Sequence, residues 1–527
     1  MNLPSSIIRS IARALRTDPE VQKMITRHPR FFRFIKNRLT PDEMFGLHLT
    51  IGISLTALFV SIAILLLRDV LKSDAVIESD VSIVNFIQLL RSPGMDATMM
   101  AATVLGKGPI VFAGMFAASL AFWITKRWHY LVGFFASVLV AELSVALIGS
   151  AIESTRPAFV NTLLHESPGR FPSGHTFIAF VFYGLLTYVL FRGFKSTLAK
   201  IVSLALGVTL TLGIGFSRMY LGIHWPADVL ASFAAAAAWL TTLITILEIR
   251  RSFTTAQERL ELRTTPSPYR LGIPLAVFWF IFVTISYRSF PLELSPSIPE
   301  LQTTVAIGAL PDALFQSLPR YSETLLGKRT EPINMVIVAS EDALQNSFVK
   351  MGWSHSDPIT IPNLARALKA TVLNAPYLEA PGAPTFWNTR PNDFSFQKST
   401  PQNSVRERHH VHVWRTSFKT EHEEPIWFLT AHFDVGIKLK SALIVPTHRT
   451  DPAIDKERDA LRRDFEHFGL VESIREFALV EPTLGKNIVG DQFFTDGKSL
   501  LIILKSPSPQ DKTLSQFEQL RQLLSTP

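Results

Sequence analysis

Seven apolar windows crowd the first 290 residues, at 46 to 67, 109 to 125, 130 to 152, 173 to 191, 198 to 216, 228 to 247 and 271 to 287. Each is long enough to cross a hydrocarbon core of roughly 30 Å. A backbone inside lipid must satisfy its own polar groups, so runs of this length predict helices packed as a bundle. Residues 1–44 carry no secretory signal pattern, since the first apolar run starts late and has no small-residue cleavage site behind it. They are read as a basic arm.

Orientation follows from the positive charges. The arm, TKRWH at 125 to 129, RGFKSTLAK at 192 to 200 and IRRSFTTAQERLELRTTPSPYR at 249 to 270 occupy alternate connections, and the positive-inside rule assigns these to the cytoplasm. The segments 68 to 108, 153 to 172 and 217 to 227, and everything after about 288, are then expected outside. The formal charge of +8 and pI of about 9.5 fit this topology and call for no nucleic-acid partner. Cysteine is absent, which excludes disulfides, a thiolate nucleophile and cysteine-ligated metal.

Beyond a proline-containing linker, 290–325, short strand-like runs at 332 to 340, 410 to 416, 425 to 439 and 501 to 506 alternate with helical stretches at 341 to 352, 361 to 374, 451 to 468 and 513 to 524. The expected fold class is a mainly α-helical polytopic membrane domain, a six-helix bundle plus a seventh helix, followed by a C-terminal mixed α/β soluble domain. The expected divisions are 1–44, 45–250, 251–289 (a cytoplasmic loop and the seventh helix), 290–325 and 326–527.

The outward connections carry a consistent set of residue types. ESTRPAF supplies Arg156, FPSGHTF supplies Ser173, Gly174 and His175 at a helix start, and SRMYLGIHWPAD supplies Arg218, His224 and Asp228. A helix N-terminus offers unpaired N–H groups to an anion, and glycine permits close backbone approach. The two arginines present planar donors suited to phosphate oxygens. His224 and Asp228 stand at i, i+4, with Pro226 fitting a first helical turn, so the acid can hold one imidazole nitrogen protonated and present the other as a nucleophile. His175 then serves as the general acid for an in-line attack on phosphorus, and this scheme requires neither metal nor cofactor. Taken singly, each element also reads as a helix cap, a loop or an interfacial histidine.

Together, RP, PSGH and the Ser217, Arg218, His224, Asp228 spacing resemble the three-part signature of the type 2 phosphatidic acid phosphatase superfamily, which also includes vanadium haloperoxidases. The resemblance spans roughly 80 to 250 and implies phosphate contacts from Arg156, Ser173, Gly174 and Arg218, acid catalysis by His175, a nucleophilic His224 and an orienting Asp228. One position departs from the pattern. The family's first motif begins with a lysine seven residues before the arginine, where this chain has Gly149. Lys107, in LGKGP, is the candidate substitute charge, its plainer reading being a lysine snorkelling at the interface.

Residues from about 325 to 510, particularly RHHVHVWRT and THRTDPAIDKERD, look like the LssY C-terminal domain found after bacterial membrane phosphatase domains. The resemblance implies an architecture and a bacterial host and assigns no catalytic residues. In this domain His410 and His412 alternate on one strand, as do His432 and Asp434 on another, which suits either a metal or a polar solvent-facing sheet. PTHRTDPAIDKERDALRRDF, 446 to 465, reads as a capped, charge-laced helix after a turn. Glu142, midway along the third window, is a functional candidate by its depth and equally a packing partner for a hydroxyl.

These readings add up to a lipid phosphatase of the bacterial inner membrane, multi-pass, with the N-terminus cytoplasmic and the site and C-terminal domain periplasmic. The expected partners are a membrane lipid phosphate as substrate and a periplasmic protein at the C-terminal domain. The alternatives are a phosphotransferase using the same site, and a catalytically impaired lipid-phosphate-binding scaffold or envelope assembly factor.

Overall fold

The computed structural model of the chain describes residues 18–39, 46–72, 74–149, 171–252, 268–289, 302–373, 377, 379–382, 384–400, 407–440, 445–487 and 490–505. Two helices, α1 (Pro19–Arg27) and α2 (Pro29–Leu39), precede the long apolar α3 (Leu47–Lys72). There follow α4 (Asp74–Gln88), α5 (Pro93–Leu105), α6 (Gly108–Ile124), α7 (Trp128–Gly149), α8 (Gly174–Gly193), α9 (Thr197–Tyr220), α10 (Pro226–Ser252) and α11 (Pro268–Ser289). Each of the seven apolar windows coincides with one of these helices. Among the described residues, α3, α8, α9 and α10 are long and apolar enough to cross a membrane, and α5 with α6, bent by 52°, adds another span if the pair counts as one. The helix α11 contributes a shorter apolar stretch, Ala276–Tyr287.

The segment 68 to 108, expected to be a loop, contains α4 and α5. At 15 and 13 residues both are too short to cross, and α4 carries Asp74, Glu78 and Asp80, so neither registers as a membrane window. The start of α5 is nonetheless written in the sequence. Ser92 accepts from the Met95 N–H at 3.3 Å, and Pro93 takes the first helical position, where its missing donor is harmless.

Around α8 the bundle closes an apolar core of Val111, Met115, Phe134, Ala179, Phe182 and Leu185. The outward faces of α3 and α9 stay exposed, with Leu58, Ile64, Leu198 and Leu206 among the residues left for lipid. Small residues set the helix spacing. A methyl on Gly215 of α9 would meet Phe233 Cζ of α10 at 2.4 Å, so only glycine permits that approach.

The C-terminal part comprises β1 (Thr303–Val305), α12 (Asp312–Phe315), β2 (Tyr321–Glu323), β3 (Arg329–Pro332), β4 (Met335–Val338), α13 (Glu341–Lys350), β5 (Ser354–His355), α14 (Ile361–Leu373), β6 (Phe386–Trp387), β7 (Arg390–Pro391) and β8 (Phe394–Ser399). It continues with β9 (Glu407–Thr420), β10 (Pro425–Lys440), β11 (Val445–Thr450), α15 (Asp455–His467), β12 (Val471–Ala478), β13 (Thr483–Lys486), β14 (Gln492–Thr495) and β15 (Lys498–Leu504). A mixed nine-stranded sheet runs β12-β15-β4-β10-β9-β8-β5, with β1 beside β9 and β11 beside β10. Leu344, Phe348, Leu461 and Phe465 from α13 and α15 cover one face, and Leu310, Leu314, Trp387 and Trp414 form the core on the other. Residues 445 to 450 are a strand rather than the turn expected there, because the 446 to 450 run pairs antiparallel with β10. The helix that follows begins at Asp455, and Ile454 gives it no side-chain cap. The expected helix at 513 to 524 lies outside the described residues.

Candidate active site at one end of the bundle

The turn between α9 and α10 is built by backbone rules. Gly222 adopts φ +72°, the left-handed region that glycine enters without penalty. With it, the Ile223 N–H reaches Arg218 O at 3.0 Å and the Gly222 N–H reaches Met219 O at 3.0 Å, the paired bonds of a Schellman ending. The His224 N–H also points to Arg218 O, at 3.3 Å. The cap therefore places the backbone of the arginine against that of the histidine. Trp225 then caps α10 and Pro226 opens it.

Asp228, at the third position of α10, accepts from the Trp225 N–H at 3.1 Å and lies 3.4 Å from His224 Nδ1 through the same oxygen, Oδ2. This is the reciprocal arm of a capping box combined with a carboxylate–imidazole pair. His224 and Asp228 are 6% and 3% exposed. With Asp228 on Nδ1, Nε2 is the imidazole nitrogen free of that contact.

Arg218 is buried on the last turn of α9, and its Nη1 donates to Thr103 Oγ1 at 3.0 Å. Thr103 belongs to the last turn of α5, whose following residue Gly106 packs against the start of α8. A methyl on Gly106 would stand 2.7 Å from Ile214 Cγ2 and 3.7 Å from His175 O. Ser173 is the N-cap of α8 and wholly buried, and its hydroxyl is engaged with Thr176 Oγ1 at 2.9 Å rather than with a helix N–H. Since α8, α9 and α10 join through short turns, the beginning of α8, the end of α9 and the beginning of α10 lie at one end of the bundle. Ser173, Gly174, His175, Arg218, His224 and Asp228 all belong to that end, with the α5–α6 corner between them. Lys107 is the residue before α6 at that corner. Gly149 ends α7, while Arg156 lies outside the described residues.

Sequence reasoning missed Asp80 and Thr103. Asp80 Oδ1 accepts from the Ala227 N–H at 3.2 Å, satisfying an N-terminal donor of α10 from a separate helix. Burial raises its carboxyl to about 7, against the lowering effect of that hydrogen bond and with a further rise from Asp228. No local pattern marks either residue, because their partners lie far along the chain.

In the C-terminal domain, β9 and β10 pair antiparallel with His432 opposite His410 and Thr430 opposite His412. His410, His412 and Asp434 are buried, so the solvent-facing reading of this sheet does not hold. His410 and His412 share the face of β9 that carries the buried Trp414.

Comparison with known proteins locates two families. The PAP2 superfamily matches residues 128–252 and the LssY C-terminus matches residues 315–498. Phosphatidylglycerophosphatase B of Bacillus subtilis (strain 168) is 33% identical over 182 residues, covering 32% of this chain and 84% of that protein. The crystal structure of a transmembrane PAP2 type phosphatidylglycerolphosphate phosphatase from Bacillus subtilis aligns at 26% identity and a TM-score of 0.33 over 37% of this chain and 96% of that one. Aquifex aeolicus LpxE aligns at 21% identity and a TM-score of 0.23, over 31% and 93%.

Proposed function

This chain belongs to the PAP2 superfamily, carrying an LssY C-terminus after the membrane portion, and from that premise we propose that it is an integral-membrane lipid phosphatase working through a phosphohistidine. His224 Nε2 attacks phosphorus in line while Asp228 holds Nδ1 and stabilises the imidazolium character that develops. Arg218, Arg156 and the backbone amides at Ser173 and Gly174 neutralise the equatorial oxygens. His175 protonates the departing lipid alkoxide or phosphate. Water then attacks the phosphohistidine, and the histidine is regenerated as inorganic phosphate leaves. The catalytic groups are all supplied by the chain, with no metal in the scheme.

The observation that carries this reading is the buried His224–Asp228 pair, held by a helix cap against Arg218 at the end where α8 begins. A lipid substrate fits because the bundle's apolar flanks let chains stay in the bilayer while the headgroup enters. Positive charge on the alternate connections supports a bacterial inner-membrane protein with this end in the periplasm. Phosphatidylglycerol phosphate, phosphatidate, polyprenyl diphosphate and lipid A phosphates form the substrate panel. Phosphate release from that panel in detergent, wild type against His224→Ala, is the test. Turnover of at least one lipid by the wild type and its loss in the variant are expected, and equal turnover by both sinks the mechanism.

Gly149, in place of a phosphate-binding lysine, favours a second reading in which the site binds lipid phosphate without turnover. Binding without phosphate release by the wild type selects that reading.

A further inference from the structure

Three imidazoles converge inside the C-terminal sheet. His410 and His412 project from β9 to one face, and His432 stands opposite His410 on β10. Their ring centroids are 4.5 Å apart for His410 and His412, 5.5 Å for His410 and His432, and 5.6 Å for His412 and His432. Imidazoles bound to one ion through nitrogens at about 2.0–2.1 Å have centroids roughly 5 Å apart, so these rings are already spaced for a shared ligand. One ligand nitrogen from each lies within 4.8 Å of the others, and closing on an ion needs side-chain movements on the order of 1 Å.

The surroundings add a second, independent line. Each Nδ1 has an oxygen nearby: His412 is hydrogen-bonded to Ser395 Oγ at 3.3 Å, while His432 lies 3.3 Å from Glu331 Oε2 and His410 3.7 Å from Asp434 Oδ2 at ion-pair distance without hydrogen-bond geometry. Metal-bound histidines use their second nitrogen in this way, which fixes ring orientation and leaves Nε2 for the ion. His410 Nε2 is buried with no hydrogen-bond partner among the described residues, and the ring is 3% exposed. An orphaned buried nitrogen is costly unless something occupies it. Gly382 borders that nitrogen, since a methyl there would come within 2.7 Å of it. Asp434 Oδ1 lies 3.8 Å from His432 Nε2, on the ligand side of the cluster.

We infer that the C-terminal domain holds one divalent d-block cation of the zinc type, bound by His410, His412 and His432 with the Asp434 carboxylate in reach as a fourth ligand. Three imidazoles and a carboxylate form a borderline donor set that suits zinc over calcium or magnesium. The ion would join β9 to β10, with Glu331 of β3 and Ser395 of β8 bracing the ligands.

The test uses the full chain in detergent, with any affinity tag removed and the protein stripped by chelator, titrated with Zn²⁺ by calorimetry and with Co²⁺ by visible absorption. Uptake of one ion per chain, with the strong absorption of four-coordinate cobalt, is expected. His412→Gln and His432→Gln should each weaken binding by more than about 100-fold. Gly382→Ala keeps every ligand and crowds His410 Nε2, so it should weaken uptake while the sheet signal in circular dichroism persists. That variant keeps the test decisive if the glutamine variants unfold. A folded wild type that takes up no stoichiometric ion overturns the inference, as does undiminished binding in both glutamine variants.

Discussion

Asp228 uses one carboxylate oxygen for two neighbours, the Trp225 N–H and His224 Nδ1. That economy is why the pair could be read from the sequence: both contacts fall within four residues, where helix geometry alone dictates proximity. Asp80 and Thr103 could not be read that way, because the contacts of Asp80 with Ala227 and of Thr103 with Arg218 span 147 and 115 positions. Asp80 makes a pH prediction. Its carboxyl titrates near 3.8 when unfolded and about 7 when folded, so the folded state holds the extra proton between those values. Its contribution to stability therefore declines as pH rises through that window. Asp80→Asn retains an oxygen acceptor and removes the titration. Thermal unfolding in detergent should show the variant gaining on wild type as pH rises from about 4 to about 7, and parallel pH profiles would contradict this.

At the scale of elements, the apolar windows announced their helices because length and hydropathy suffice for a membrane span. The helices α4 and α5 did not, being short and partly polar, yet they supply Asp80 and Thr103 to the site. The polar strand β11 was hidden for a different reason: it folds back on the neighbouring β10, with Lys440 opposite Val445, but the run PTHRT lacks the apolar alternation that marks a strand. The α5–α6 corner is the element on which the site turns, since Thr103 meets Arg218 there and Gly106 meets the α8 start. Gly106→Val has to displace Ile214, at a cost on the order of 1–3 kcal/mol. A lower melting temperature together with a raised KM for lipid phosphate is expected. Unchanged values of both would remove the corner from the account.

Across the whole molecule, α4 joins the two parts. Its Ser79 Oγ donates to Leu326 O at 3.3 Å and its Asn85 Nδ2 donates to Thr389 O at 3.0 Å, while Asp80 on the same helix reaches α10. The C-terminal domain is thus docked at the end of the bundle that carries His224, an arrangement absent from any local pattern and foreshadowed only by the charge pattern that predicts both on the same side. A methyl on Gly327 would lie 3.9 Å from Glu78 Cβ, within disulfide range. Because the chain has no cysteine, Glu78→Cys with Gly327→Cys gives a test against a Gly327→Ala control for the strain of a side chain at φ +70°, with oxidation expected to link the two parts and free thiols in a double variant as stable as that control contradicting the docking. The central claim concerns His224 itself, and rapid acid-free quenching with phosphorus-labelled lipid phosphate tests it most directly. The account predicts one acid-labile, base-stable phosphoryl group per chain, mapped to His224 and absent from His224→Ala. Turnover without any such intermediate on His224, or label recovered on another residue, would contradict it.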